Sequence, residues 1–251
     1  METINEQLKT LYLKTFGDSF EKCSPIKEKI LKRPLLIKFA NENAIKNEEK
    51  LSVMFFLQET SDWKKDGTVC EDMETYCEFF NDFSEYTQPP VHPYWKTQKY
   101  TWLVLEEMRN TINKQVFGKP VIYIWNNIVK SEYNIGDSAK IPDDVYAEFR
   151  NLNCKLILGE IEIIKPDVLV FFTGPNIYYD KKIDDVFNNG KKIDKKVTDK
   201  GVNINTLAEM RLPYHGNSYI TYHPLYLGRN AKPKKGIVLS AIAEQCAAVA
   251  M

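Results

Sequence analysis

Four short apolar runs stand out in the pattern of hydrophobic and polar positions along this chain. They are Leu51–Leu57, Val121–Trp125, Asp167–Phe172 and Ser218–Tyr222. Continuous apolar runs of this length are typical of strands that are buried on both faces of a sheet. The pattern therefore predicts a core of four strands.

Longer segments with helical periodicity lie between and around these runs. They cover residues 3–16, 96–115, 142–165 and 236–250. An alternation of strands and helices is typical of a parallel sheet with helices on both faces. We therefore expect an α/β protein, a three-layer α/β/α sandwich around a short, mainly parallel four-stranded sheet.

The length of 251 residues and the hydrophobic fraction of 43% fit one large α/β domain with a substantial core. We interpret residues 1–251 as a single domain, with residues 1–50 as an N-terminal helical extension. Residues 180–215 begin with a stretch rich in Lys, Asp and Asn that alternates only weakly. This composition predicts an exposed hairpin or insertion.

Composition also limits the compartment and the cofactors. The five cysteines are widely spaced without a CxxC pair, which favours a reducing cytoplasm over a disulfide framework. The spacing of Cys70, Cys77 and His92 matches no standard zinc pattern, so we expect no metal and no cofactor. No apolar run approaches the roughly 18 residues of a membrane span. We expect a cytoplasmic monomer without a membrane partner.

Polar side chains follow each apolar run, where parallel strands would deliver them to one edge of the sheet. An amide can read the edge of a nucleobase, and an imidazole can stabilise a carbonyl that gains negative charge. A carboxylate can position water or stabilise an oxocarbenium ion. This chemistry suits cleavage of the N-glycosidic bond of a flipped-out base. The strand-end residues are Gln58 and Glu59, Asn126 and Asn127, Thr173 and Gly174, and His223.

Apolar and basic residues follow His223 closely. Leu225 and Leu227 are interpreted as exposed, and an apolar wedge of this kind can fill the gap left by an extruded base. Cations close behind can bind backbone phosphate. An aromatic and acidic stretch after the first strand offers a ring for base stacking, with Phe79 or Phe80 as the candidates. The basic residues are Arg229, Lys232 and Lys234.

In order and spacing, these motifs resemble those of the uracil-DNA glycosylase superfamily over roughly residues 50–245. The family's first motif is a strand followed by Gly-Gln-Asp-Pro-Tyr or a variant, and residues 56–60 read Phe-Leu-Gln-Glu-Thr. Its second motif is His-Pro-Ser followed by an apolar intercalating residue, then Arg and Gly. Residues 223–229 read His-Pro-Leu-Tyr-Leu-Gly-Arg.

The resemblance implies a role for each matching residue. Glu59 takes the position of the water-activating carboxylate, and His223 hydrogen-bonds the base carbonyl as the leaving group becomes anionic. Asn127, or its neighbour Asn126, reads the base beside Gln58. Leu225 or Leu227 fills the gap in the duplex, while Arg229, with Lys232 and Lys234, contacts phosphate.

Departures from the family motifs keep alternatives open. Leu57 replaces the Gly of the first motif, the Pro-Tyr after the acid is absent, and Leu225 replaces the Ser that grips phosphate. The expected function is excision of uracil or another damaged base from single- or double-stranded DNA. The alternatives are a catalytically inactive nucleic-acid-binding member of the same fold and a hydrolase of small nucleosides.

Overall fold

A mixed β-sheet carries the core of the protein. In this computed structural model the sheet has six strands, in the order β2-β1-β3-β6-β5-β4, within the described part of the chain. The strands are β1 Leu51–Glu59, β2 Val121–Val129, β3 Val168–Phe171, β4 Lys195–Val197, β5 Leu207–Met210 and β6 Ser218–Thr221. The structure describes residues 2–16, 36–39, 41–59, 99–130, 141–198, 202–230 and 232–251.

The four predicted helices are present within a few residues of their expected bounds, and three further helices lie at Glu42–Lys46, Ile177–Asn188 and Pro224–Asn230 in the described part of the chain. The first helix begins at Ile4, and the last begins at Lys232, four residues before the predicted start. None of the described helices is both long and apolar enough to cross a membrane. The helices are α1 Ile4–Phe16, α2 Glu42–Lys46, α3 Lys99–Gln115, α4 Asp143–Ile164, α5 Ile177–Asn188, α6 Pro224–Asn230 and α7 Lys232–Ala250.

The α/β class is confirmed, but the sheet differs from the four-stranded prediction. Strands β2, β1, β3 and β6 are parallel, and β5 and β4 extend the sheet beyond β6 in antiparallel pairing. The edge strand β4 is three residues long and carries Lys195 and Lys196. Short, charged edge strands discourage pairing with other chains, and they lack the apolar signal of a central strand. This is why the sequence pattern does not reveal β4.

Helices cover both faces of the sheet. On one face the rings of Phe56 and Phe171 stack at 4.7 Å, and Phe187 of α5 meets both edge-on. On the other face Tyr123 of β2 donates to the Arg109 carbonyl of α3, 3.0 Å away. Tyr219 of β6 donates to Gln245 of α7 at 3.2 Å. The molecule therefore has three layers, with α4 and α5 on one side of the sheet and α3 and α7 on the other.

Residues 180–215 do contain an antiparallel pair, β4 with β5, but the segment as a whole is not an exposed insertion. Helix α5 buries one face against the sheet, and β5 pairs with β6. Charged residues on the outer face of α5 mask its amphipathic pattern. Even Lys182 is only 2% exposed, because its ammonium group lies 3.4 Å from the ring centroid of Tyr146. The buried residues of α5 are Tyr179, Lys182, Ile183, Val186 and Phe187.

Candidate functional site

The ends of β1, β3 and β6 meet at one edge of the sheet. Phe56, Phe171 and Ile220 are register partners across these strands. Just beyond them, the side-chain amide of Gln58 donates to the Thr173 carbonyl at 3.1 Å. The strand order reverses direction between β1 and β3, which is where open α/β sheets bind their ligands. This edge is therefore the candidate site.

Gly174 shapes the turn that follows β3. Its φ of +79° lies in the left-handed region, which glycine adopts without steric cost. Its N–H donates to the Thr221 carbonyl at 2.8 Å, and a Cβ placed there would lie 3.9 Å from the backbone nitrogen of His223. The turn thus joins the end of β3 to the end of β6 beside His223.

His223 lies two residues after the end of β6 and precedes helix α6, whose first residue is Pro224. Proline suits this position because its missing N–H has no partner in the first turn of a helix. The Leu225 N–H donates to Nδ1 of His223 at 3.2 Å. In the neutral ring the proton is therefore on Nε2.

The surroundings of His223 favour this neutral form. The ring is only partly exposed, and desolvation lowers its pKa from 6.5 to about 4. The structure shows no acceptor for Nε2–H among the described residues. At neutral pH His223 thus offers one N–H donor at the edge of the sheet.

Gln58 complements this donor with an acceptor. Its Nε2 is directed to Thr173, and no described residue donates to its Oε1. Gln58 lies at the end of β1 and His223 two residues beyond β6, and β3 separates these two strands, whose axes are about 10 Å apart at the usual strand spacing. The Gln58 side chain extends toward β3, which narrows this gap.

No family model and no curated protein matches the chain.

Both predicted base readers lie level with this edge, since Asn126 pairs with Phe56 and Asn127 with Leu57, but their side chains are buried. Strand β2 continues to Val129 instead of ending at Trp125. Asn127 is 1% exposed, and its Oδ1 accepts the indole N–H of Trp125 at 3.0 Å. Asn126 is fully buried and donates to Glu160 at 2.9 Å. The prediction that β2 ends before these two residues is wrong, and buried partners satisfy amides that the sequence pattern suggests are in a turn.

Asn126 belongs to a buried polar cluster that the sequence analysis missed. Lys130 Nζ lies 2.8 Å from both carboxylate oxygens of Glu160 and 2.9 Å from Oδ1 of Asn126. Tyr12 of α1 joins the same cluster through its hydroxyl, 2.9 Å from Glu160. A sequence signal does exist, since Glu160 lies on the buried stripe of α4 between Leu156 and Ile164.

The residues after His223 divide into buried and exposed ones. Leu227 is 1% exposed and packs in the core, so its prediction as an exposed wedge is wrong. Helix α6 turns this side chain inward. Leu225 is partly exposed, and Arg229 is exposed. Leu225 therefore remains the candidate wedge.

Other predicted residues lie outside the described part of the chain. This holds for Phe79 and Phe80 entirely, and for the metal candidates Cys70, Cys77 and His92. The backbone of Glu59 ends β1, and Lys232 and Lys234 lie in α7, but their side chains are not among those described. In the described ranges, no three His, Cys, Asp or Glu side chains are grouped to hold a metal.

A cavity of about 370 Å³ adjoins this edge on the side of α5, next to the carboxyl end of β6. Two of its three carboxylates have partners in the structure. Asp180 lies 2.9 Å from Lys195, and Asp184 accepts the Ile193 N–H at 2.9 Å. Burial raises the pKa of Asp184. Three carboxylates face two lysines here, so the cavity is poorly suited to phosphate. The lining residues are Pro175, Asp180, Asp184, Lys192, Ile193, Asp194, Lys195, Ile204, Asn205, Ile220 and Thr221.

Proposed function

We propose that this protein hydrolyses the N-glycosidic bond of a flipped-out base in DNA, uracil or another damaged base. The observation that carries the proposal is His223, a neutral imidazole with its Nδ1 engaged and its Nε2–H free for a ligand. As the bond to the sugar breaks, negative charge develops on the carbonyl of the departing base. A fixed N–H donor at that carbonyl stabilises the transition state more than the ground state.

Gln58 supplies the matching acceptor in this proposal. The Watson–Crick edge of uracil alternates carbonyl oxygens with an N–H group. Oε1 of Gln58 accepts from the N–H while His223 donates to a carbonyl, so the two residues select a base by its hydrogen-bond pattern. The Thr173 carbonyl fixes the orientation of the Gln58 amide. Gln58 thus takes over the reading role that the sequence analysis assigned to Asn127.

Glu59 follows Gln58 at the end of β1 and is the proposed carboxylate. It orients the attacking water and stabilises the oxocarbenium character of the sugar. Leu57, at the position of the family's Gly, is only 5% exposed. Its side chain packs into the core, so this departure does not by itself fill the site.

The test is release of free base from a single-stranded oligonucleotide with one uracil, detected by alkaline cleavage at the abasic site. We expect release by the wild-type chain and a decrease of about 10²- to 10³-fold for His223→Ala. Glu59→Gln should also decrease the rate. His215→Ala is the matched control, because His215 lies before β6 and contacts Pro166 and Ser218 at the opposite edge. Its rate per folded molecule should equal that of the wild type.

A wild-type rate for His223→Ala would overturn the assigned mechanism. Absence of release from uracil and a panel of damaged bases would overturn the enzymatic proposal. One observation favours a non-catalytic alternative: Leu225 stands where the family has a phosphate-gripping Ser. Salt-sensitive DNA binding without base release would identify a binding protein. Activity on free nucleosides without DNA affinity would identify a nucleoside hydrolase.

A further inference from the structure

Helix α6 presents an aromatic surface directly beside His223. The rings of Tyr222 and Tyr226 stack with centroids 4.5 Å apart and planes at 28°. Tyr222 is partly buried against the core, whereas Tyr226 is 43% exposed. The inner ring therefore supports the outer one, which presents aromatic surface to solvent.

A cation lies on the same side of this short helix. Arg229 follows Tyr226 by three residues, a spacing that places two side chains next to each other on a helix surface. It is exposed. The Tyr226 N–H donates to the His223 carbonyl at 2.9 Å, so the aromatic pair and the candidate site are fixed to the same turn. An aromatic face combined with a nearby cation is the arrangement that binds single-stranded nucleic acid.

We propose that Tyr226, supported by Tyr222, stacks on an unpaired base of single-stranded DNA next to the base bound at His223. Arg229 contacts the phosphate of that nucleotide. The inference rests on the proposed function, and it adds a preference for single-stranded over duplex DNA. In a duplex both faces of each base are already stacked, so an exposed ring can stack only on a base that has left the stack. Stacking does not read hydrogen-bond patterns, so this stacking platform, formed by Tyr222 and Tyr226, binds bases of any flanking sequence.

The test measures binding of fluorescent oligonucleotides without uracil, so it does not depend on catalysis. Fluorescence anisotropy at one fixed salt concentration compares single-stranded and duplex DNA of mixed sequence. Tyr226→Ala should weaken single-strand binding by about tenfold, whereas Tyr226→Phe, which keeps the ring, should stay within about twofold of the wild type. Tyr214→Ala is the matched control, because Tyr214 is 83% exposed but lies before β6, at the opposite edge of the sheet.

Two results would overturn the platform. One is wild-type affinity for single strands in Tyr226→Ala, and the other is an equal loss in Tyr226→Ala and Tyr226→Phe. The proposed function fails separately. Binding that depends on the Tyr226 ring, without any base release, retains the platform and rejects the glycosylase. Base release together with DNA binding that does not depend on the Tyr226 ring retains the proposed function and rejects the stacking role of Tyr226.

Discussion

The protonation state of His223 is the residue-scale property on which the candidate site most depends. Desolvation lowers the pKa of the ring to about 4, from 6.5. Between pH 4 and pH 6.5 the His223 ring is therefore mostly protonated in the unfolded chain and mostly neutral in the folded chain. The contribution of His223 to stability is complete above pH 6.5, and it falls as the pH decreases toward 4. The loss is at most about 3 kcal/mol.

Urea unfolding of the wild type and His223→Asn at pH 7 and pH 4.5 checks this prediction. Asn keeps a side-chain acceptor before α6. We expect the wild type to lose more stability than the variant over this pH range, since the other titrating groups are common to both. An NMR titration should give a His223 pKa far below that of an exposed histidine. A value near 6.5 would contradict the neutral-donor role.

At the same scale, the sequence reveals some site residues and misplaces others. His223 and Gln58 are predictable because each follows an apolar run that does form a central strand. Asn126 and Asn127 mislead, since asparagine is typical of turns and the partners that satisfy these amides come from distant segments. Sequence pattern alone cannot show a hydrogen bond between β2 and α4. The role of Tyr226 depends on a stacking contact that likewise needs coordinates.

At the scale of elements, the turn after β3 gives a testable consequence. Gly174→Ala introduces a Cβ at a φ of +79°, which costs roughly 1–2 kcal/mol for a residue other than glycine. Gly216→Ala is the matched control, because its φ is not in the left-handed region and nothing lies within 4 Å of a Cβ there. Thermal unfolding should show a lower Tm for Gly174→Ala only. Equal Tm values in both variants would show that the turn tolerates a side chain.

Elements with strong periodicity are predicted well, and those without it are missed. The long helices α3 and α4 and the four central strands follow from their apolar patterns. Strands β4 and β5 do not, because they are short and belong to the sheet only through the pairing of β5 with β6 and of β4 with β5. Helix α5 carries enough charge on its outer face to resemble an exposed segment.

At the scale of the whole molecule, the buried Lys130–Glu160 pair joins separate parts of the fold. Both side chains are fully buried, and Tyr12 connects the pair to α1 and to the backbone N–H of Ile37 at 2.8 Å. Removing one partner leaves the other charge buried without compensation. Lys130→Met and Glu160→Gln should each destabilise the protein by about 3–5 kcal/mol.

A double-mutant cycle by chemical denaturation measures this coupling. The variant with both substitutions should lose clearly less than the sum of the single losses. The surface pair Lys235–Glu107, with its ammonium 2.5 Å from the carboxylate, provides the control, and its coupling should stay below about 1 kcal/mol. Additive losses at Lys130 and Glu160 would mean that the pair does not act as a unit.

The central claim is that the edge of the sheet formed by β1, β3 and β6 binds a nucleobase. Backbone amide NMR of the labelled chain, titrated with a uracil-containing single strand, tests it most directly. We expect chemical-shift changes at Gln58, Gly174 and His223, and none at Tyr214 or His215 on the opposite edge. Changes confined to that opposite edge or to the cavity beside α5, or no changes at all, would contradict the claim.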